Sequence, residues 1–192
     1  HDPTARVVEA GPWAIDAYQE DPFETRFIQS FNTFAASAIF TETRVLGRRY
    51  QFEDLLSAFL LRVAADAGLA LSDLPRRVVV GRPVTFAGSS PDPRLALGRY
   101  ETAFRRLGFE DIRYAYEPVG AAFFLARNLM QDATVLVGDF GGGTSDFSVI
   151  SFARQGGGEM TDPPLGRSGV GVAGDAFDYR IIDNLVSPQL GK

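Results

Sequence analysis

Between Val135 and Ile150 the chain reads VLVGDFGGGTSDFSVI. Asp139 closes one apolar run, Gly141, Gly142, Gly143 and Thr144 follow, and Asp146 stands at the head of a second apolar run. A hairpin turn accounts for a pair of glycines, because glycine reaches backbone conformations that other residues avoid. It does not account for an aspartate ending an apolar strand, nor for Thr144 and Asp146 closing the turn. Three successive residues without Cβ let backbone N–H groups converge on an anion, and a threonine hydroxyl adds a donor. A carboxylate at the strand end can hold Mg²⁺ beside that anion, usually through the ion's waters. Taken alone, these residues leave a phosphate cradle and a plain hairpin both open.

Other chemistry is sparse. There is no cysteine, which excludes disulfides and thiolate metal sites, and the single histidine is His1, at the extreme N-terminus, where it reads as a vector-derived remnant. Gly169, Gly171 and Gly174 spell G-x-G-x-x-G before a helical segment, but no apolar strand leads into them and no acidic ribose partner follows at the right distance. A turn and close packing at a helix start explain them better. The P-loop ending in Gly-Lys-Ser/Thr is absent. The pairs Arg48-Arg49, Arg76-Arg77 and Arg105-Arg106 are separated by acidic residues and read as solvated element ends. Trp13 and Tyr18 read as packing residues, and QGGGE at 155–159 as a hairpin loop.

The chain that must position these residues has 192 of them, 45% hydrophobic and 22% charged, a composition that supports a packed core. A net charge of -5 argues against nucleic acid and anionic membrane surfaces as partners. No apolar run reaches the roughly 20 residues needed to span a bilayer, and no secretory signal pattern opens the sequence, so a cytoplasmic location is the expectation.

From Gln51 to Ala67, apolar Phe52, Leu55, Leu56, Phe59, Leu60 and Val63 recur at helical spacing, and Gly68 is placed to stop the helix. Val78, Val79 and Val80 form a continuous run that predicts a strand buried on both faces. A second helix is predicted from Pro93 to about Leu107, with Leu97, Tyr100, Phe104 and Leu107 on one stripe and Gly108 just past its end. IRYAY predicts a short strand. Glu117-Pro118 then opens an apolar helix, VGAAFFLARNLM, whose whole circumference reads as buried. Alternating strands and helices from Val78 to Val137 predict an α/β protein with a parallel-rich sheet. TVLVGDF and SDFSVISF then predict an antiparallel hairpin, and a new domain is expected from residue 131, dividing the chain into 1–130 and 131–192. The following loop-rich stretch offers only a short strand around Gly158 to Thr161, and Phe177, Ile181 and Leu185 mark a last helix.

VLVGDFGGGTSDFSVI resembles the second phosphate-binding loop of the actin, sugar kinase and heat-shock chaperone superfamily, and most closely that of the seventy-kilodalton heat-shock chaperones. YAYEPVGAAFFLA, from Tyr114 to Ala126, resembles the connecting motif that precedes the loop in that family, and GVGVAGDAFDYRII resembles the segment opening its next helix. RRVVVGRPVTF is similar to the family's strand before its interdomain helices and suggests a bacterial chaperone-like branch. The motifs keep the family order, and the similarity runs from about Tyr50 to Asn184.

The resemblance implies an actin-like ATPase (ribonuclease H-like) fold that binds and hydrolyses ATP with Mg²⁺. On it, Gly141, Gly142, Gly143 and Thr144 would cradle the β- and γ-phosphates and Asp139 would stand by the waters of the metal. Glu117 would lie opposite as the second catalytic carboxylate, with Asp146 and Gly174 in the nucleotide cleft. The chain departs from the family in lacking its first phosphate loop and its adenosine-binding glycines. Asn32, in FIQSFNTFAAS, stands where related sequences carry a phosphate-reaching lysine. These departures lead to the expectation of an incomplete nucleotide-binding domain, impaired in hydrolysis and self-associating through uncovered edges. Unfolded client proteins would be partners only of a longer parent. A kinase of the same superfamily and a catalytically inactive scaffold are the competing readings.

Overall fold

The computed structural model describes residues 8–153, 159–160 and 164–191, which fall into two units: His1–Val78 with Asp92–Ile112, and Val79–Pro91 with Arg113–Lys192. His1 and residues 155–158 of the QGGGE segment lie outside the described residues.

In the first unit, α1 (Pro12–Glu20) begins at a proline, which suits an unpaired first turn. Tyr18 stacks on Phe27 at 5.2 Å, whereas Trp13 is 55% exposed and is not the packing residue expected. β1 (Thr43–Val45) and β2 (Arg48–Tyr50) form a hairpin whose two turn residues, Leu46 and Gly47, have φ of 47° and 79°. That left-handed pair matches the twist of the flanking strands. α2 (Phe52–Asp66) is opened by a capping box in which Gln51 N–H donates to Asp54 Oδ2 at 2.7 Å, and Gly68 at φ 67° lets the chain leave it.

β3 (Arg77–Arg82) precedes α3 (Pro93–Arg106), which is capped by Asp92: its carboxylate accepts from the N–H groups of Arg94 and Leu95 at 2.9 and 3.1 Å. α2 and α3 pack through Phe52, Tyr100 and Phe104, all buried, with ring centres 5.6 Å apart for Phe52 and Tyr100. Each such ring contributes on the order of 1.5–3 kcal/mol by leaving water. The Arg99 guanidinium donates to the carbonyls of Phe34, Ala35, Ser37 and Phe40, fastening the 34–40 segment to α3. The arginine pairs meet acids at element ends, Arg76 with Glu110 at 2.7 Å and Arg106 with Asp54 at 2.7 Å among them, as expected of solvated charges.

β3 pairs with β4 (Asp111–Tyr116) in a two-stranded sheet. Its residues alternate exposed and half-buried and Val79 is 65% exposed, so it is not the doubly buried strand that three valines suggest. In the second unit α4 (Glu117–Ala126) follows β4 directly, and β5 (Ala133–Phe140) pairs with β6 (Ser145–Ala153) in the expected antiparallel hairpin. β6 also pairs antiparallel with β7 (Glu159–Met160) and with β8 (Gly166–Val170), so the largest sheet is antiparallel throughout and β5 does not join β3 and β4. The described strands thus form small sheets in a mixed α/β chain.

α4 lays Val119, Ala122 and Ala126 on Ile150 and Phe152. Small residues let the helix approach the sheet closely, while Phe123 meets Phe152 only edge-on and Phe123, Phe124 and Leu125 remain 47%, 74% and 44% exposed. The prediction of burial around its whole circumference fails for that reason. α5 (Gly174–Ile181) ends the sequence of regular elements and continues in tighter and wider turns to Leu190.

Candidate functional site

The glycine turn joins β5 to β6, and its register fixes the chemistry around it. Phe140 pairs with Ser145 and Asp139 with Asp146, so the two carboxylates are cross-strand partners on one face of the sheet. Gly169 on β8 pairs with Asp146 from the other side. On the same face one step further along lie Val137, Ser148 and Arg167, and beyond them the apolar patch covered by α4. Because Glu117 is the first residue of α4, the helix that seals this patch delivers its carboxylate towards Asp139 and Asp146.

Their proximity shows in the electrostatics. The Glu117 carboxyl is held above its ordinary 4.5, first by desolvation and then by the negative charges of Asp139 and Asp146. Glu117 is nevertheless exposed by area and reachable from solvent. Gly81 makes room for it: a Cβ there would stand 3.3 Å from Glu117 Cγ.

Asp146 is 1% exposed, and its Oδ1 accepts from the backbone N–H groups of Val84 and Thr85 at 3.0 and 3.2 Å. It ties the segment after β3 to the sheet. A Cβ on Gly169 would lie 2.2 Å from that same oxygen, so glycine is required at 169 by the buried carboxylate beside it. The strand carrying Gly169, GRSGV, is not the apolar strand that a dinucleotide-binding turn follows, in keeping with the reading of the sequence. It runs antiparallel to β6, and its glycines serve close approach.

The turn itself is closed by Gly141 N–H donating to the Thr144 carbonyl at 2.9 Å. The carbonyls of Gly141 and Gly142 accept from the N–H groups of Gly174 and Asp175 at 3.1 and 2.9 Å, so the turn satisfies two donors at the start of α5. Ser145 Oγ donates to the Val172 carbonyl at 2.9 Å and fixes the other side. With those carbonyls engaged, the N–H groups of Gly142, Gly143 and Thr144 donate to no group among the described residues. Gly141 is not in the left-handed region, and a Cβ there would meet only the Thr144 carbonyl at 3.4 Å, so the hairpin alone makes little demand for glycine at 141.

The structure thus brings Glu117, Asp139, Gly141, Gly142, Gly143, Thr144, Asp146 and Gly174 into one unit. Asn32 belongs to the other unit and is exposed. Among the described residues no group of three acidic or histidine side chains converges to ligate a metal directly. The donor set suits Mg²⁺ held through its water shell, with Asp139 the half-exposed carboxylate available for it. Sequence reasoning missed the Val84 and Thr85 donors, which are backbone groups without a residue signature, and the requirement at Gly169, whose signal was a glycine inside a strand.

No family model matches the chain. Among curated proteins it is 31% identical over 147 residues to the stromal 70 kDa heat shock-related protein of Spinacia oleracea chloroplasts, covering 76% of this chain and 23% of that one. It is 29% identical over 143 residues to the chloroplastic heat shock 70 kDa protein 7 of Arabidopsis thaliana, covering 74% and 18%. It is 30% identical over 139 residues to the stromal 70 kDa heat shock-related protein of Pisum sativum chloroplasts, covering 72% and 18%. The chain belongs to the seventy-kilodalton heat-shock protein family. It spans less than a quarter of the length of these relatives. All three are chloroplast proteins, which overturns the expectation of a cytoplasmic location.

Proposed function

We propose that this chain is part of an ATP-binding, ATP-hydrolysing nucleotide-binding domain of actin-like fold, in the bacterial chaperone-like branch of its family, with a second lobe beginning near residue 131. The observation that carries the reading is the row of three N–H groups at Gly142, Gly143 and Thr144 that have no partner among the described residues, set beside Asp139, Asp146 and Glu117. Converging backbone donors are a fixed positive pole that needs no side chain to move, and they suit the β- and γ-phosphates of a nucleotide. Mg²⁺, when bound, would supply charge neutralisation at those phosphates, and Asp139 is the residue that would hold its water shell. Glu117, solvent-accessible and surrounded by negative charge, orients the water that attacks the γ-phosphorus in line. Asp146 positions the 84–85 segment from below, and Gly174 joins the turn to α5. In a longer parent, nucleotide-driven closure would signal to a segment that binds unfolded clients. The compartment shared with the relatives would be the chloroplast stroma.

Calorimetric titration of the chain with ATP and Mg²⁺, repeated with Asp139→Ala, tests this. Saturable binding that disappears in the variant is expected. A folded chain that takes up no nucleotide would overturn the reading.

A further inference from the structure

Three elements of the second unit meet at the ring of Tyr116, the last residue of β4. The guanidinium of Arg82, from the end of β3, stands 5.0 Å from the centre of the Tyr116 ring and 5.0 Å from that of Phe86. Arg167, from β8, stands over the same Tyr116 ring at 4.5 Å. Phe86 is 3% exposed, which anchors one end of the stack, and Arg82 Nε donates to the Pro83 carbonyl at 3.2 Å, which fixes the turn of its fork.

Neither guanidinium has a carboxylate partner among the described residues. Elsewhere Arg49, Arg62, Arg76, Arg77, Arg105 and Arg106 each meet an acid, and Arg99 is taken up by carbonyls. In a chain of net charge -5, two like charges are thus gathered over one ring with no acid assigned to them. Stacking occupies the faces of a guanidinium and leaves its rim of N–H donors in the plane, free to form forked hydrogen bonds. Ser148, the cross-strand partner of Arg167, adds a buried hydroxyl that has no hydrogen-bond partner among the described residues.

We propose that Arg82 and Arg167, held over Tyr116, form a binding site for a phosphate dianion, separate from the glycine turn. Two forks present more donors than one carboxylate can accept, whereas the three terminal oxygens of a phosphate accept from both, and its double charge matches theirs. The site takes either free phosphate or the terminal phosphate of a larger molecule, and it does not depend on the nucleotide reading.

The test follows the arginine Nε–H signals of the full chain by nuclear magnetic resonance during titration with inorganic phosphate, then with Mg²⁺-free ATP. Saturable shifts of Arg82 and Arg167 with inorganic phosphate are expected, and Arg82→Gln and Arg167→Gln should each weaken phosphate binding roughly tenfold, the worth of one charged hydrogen-bonding group. Asp139→Ala should leave those shifts unchanged, even if it abolishes nucleotide binding at the glycine turn. Shifts with ATP but not with phosphate would overturn the separate site, as would shifts with an acidic peptide alone. Silence of both signals in the unaltered, folded chain would overturn it without reference to any variant.

Discussion

Gly169 and Asp146 constrain one another tightly. Adding a methyl group to Gly169 forces it to within 2.2 Å of the Asp146 oxygen that holds Val84 and Thr85. Gly169→Ala should therefore cost about 1–3 kcal/mol, the range for overpacking a fixed interior. Urea unfolding would show it as a lower midpoint, and in a double-mutant cycle Asp146→Ala should remove much of that penalty. Additive losses would mean that the collision is relieved in another way.

Glu117 gives a prediction of opposite sign. Its carboxyl pKa is raised in the folded chain, so the ionised form is less favourable there than in the unfolded chain. The cost is present above the folded pKa, shrinks as pH falls through it, and is gone below the unfolded value near 4.5. Glu117→Gln should accordingly melt at a slightly higher temperature than the parent at neutral pH and lose that advantage in acid. An advantage that persists in acid would assign the effect to packing.

At the scale of elements, α3 holds the 34–40 segment of the first unit through Arg99. Removing that side chain strands the carbonyls of Ala35, Ser37 and Phe40 and takes the cation off the Phe52 and Phe40 rings. Arg99→Ala should destabilise the chain by roughly 2–4 kcal/mol, given that bonds to a charged group are worth more than neutral ones. Denaturant unfolding measures it, and a loss below the error of the melt would show that the 34–40 segment holds without the clasp.

α2, α3 and the hairpin of β5 and β6 were legible in the sequence because each carries both a period and punctuation: Phe52 to Val63 with Gly68, Asp92 with Gly108, and alternating residues around Gly141 to Gly143. β8 was not, since GRSGV offers two glycines and no apolar alternation, and it is a strand only because β6 supplies its partners. α4 misled for the reverse reason. Its all-apolar surface predicts burial, but the face that meets the sheet is chosen by the small residues Ala122 and Ala126. The acidic face of the site was half legible, with Asp139 and Asp146 marked by position, while the clasp on Val84 and Thr85 is written in backbone atoms.

Across the whole molecule, apolar side chains remain uncovered in a continuous stretch of sequence. Phe177, Ile181, Leu185 and Leu190 are 59%, 51%, 66% and 82% exposed along α5 and the turns after it. Scattered apolar surface is ordinary, but a clustered run of this kind favours association. Light scattering at high concentration should find species larger than one chain, and Leu185→Glu should shift them towards monomer. A single monomeric species under those conditions would remove the expectation.

The way the glycine turn divides its peptide groups has a consequence in time. Gly174 and Asp175 lend their amide hydrogens to the turn, whereas the amides of Gly142, Gly143 and Thr144 lend theirs to no group among the described residues. In deuterated water the first two should retain their hydrogens long after the other three have surrendered them. Two sets of neighbouring amides would then run as a fast and a slow clock, and a phosphate settling on the turn would retard only the fast one.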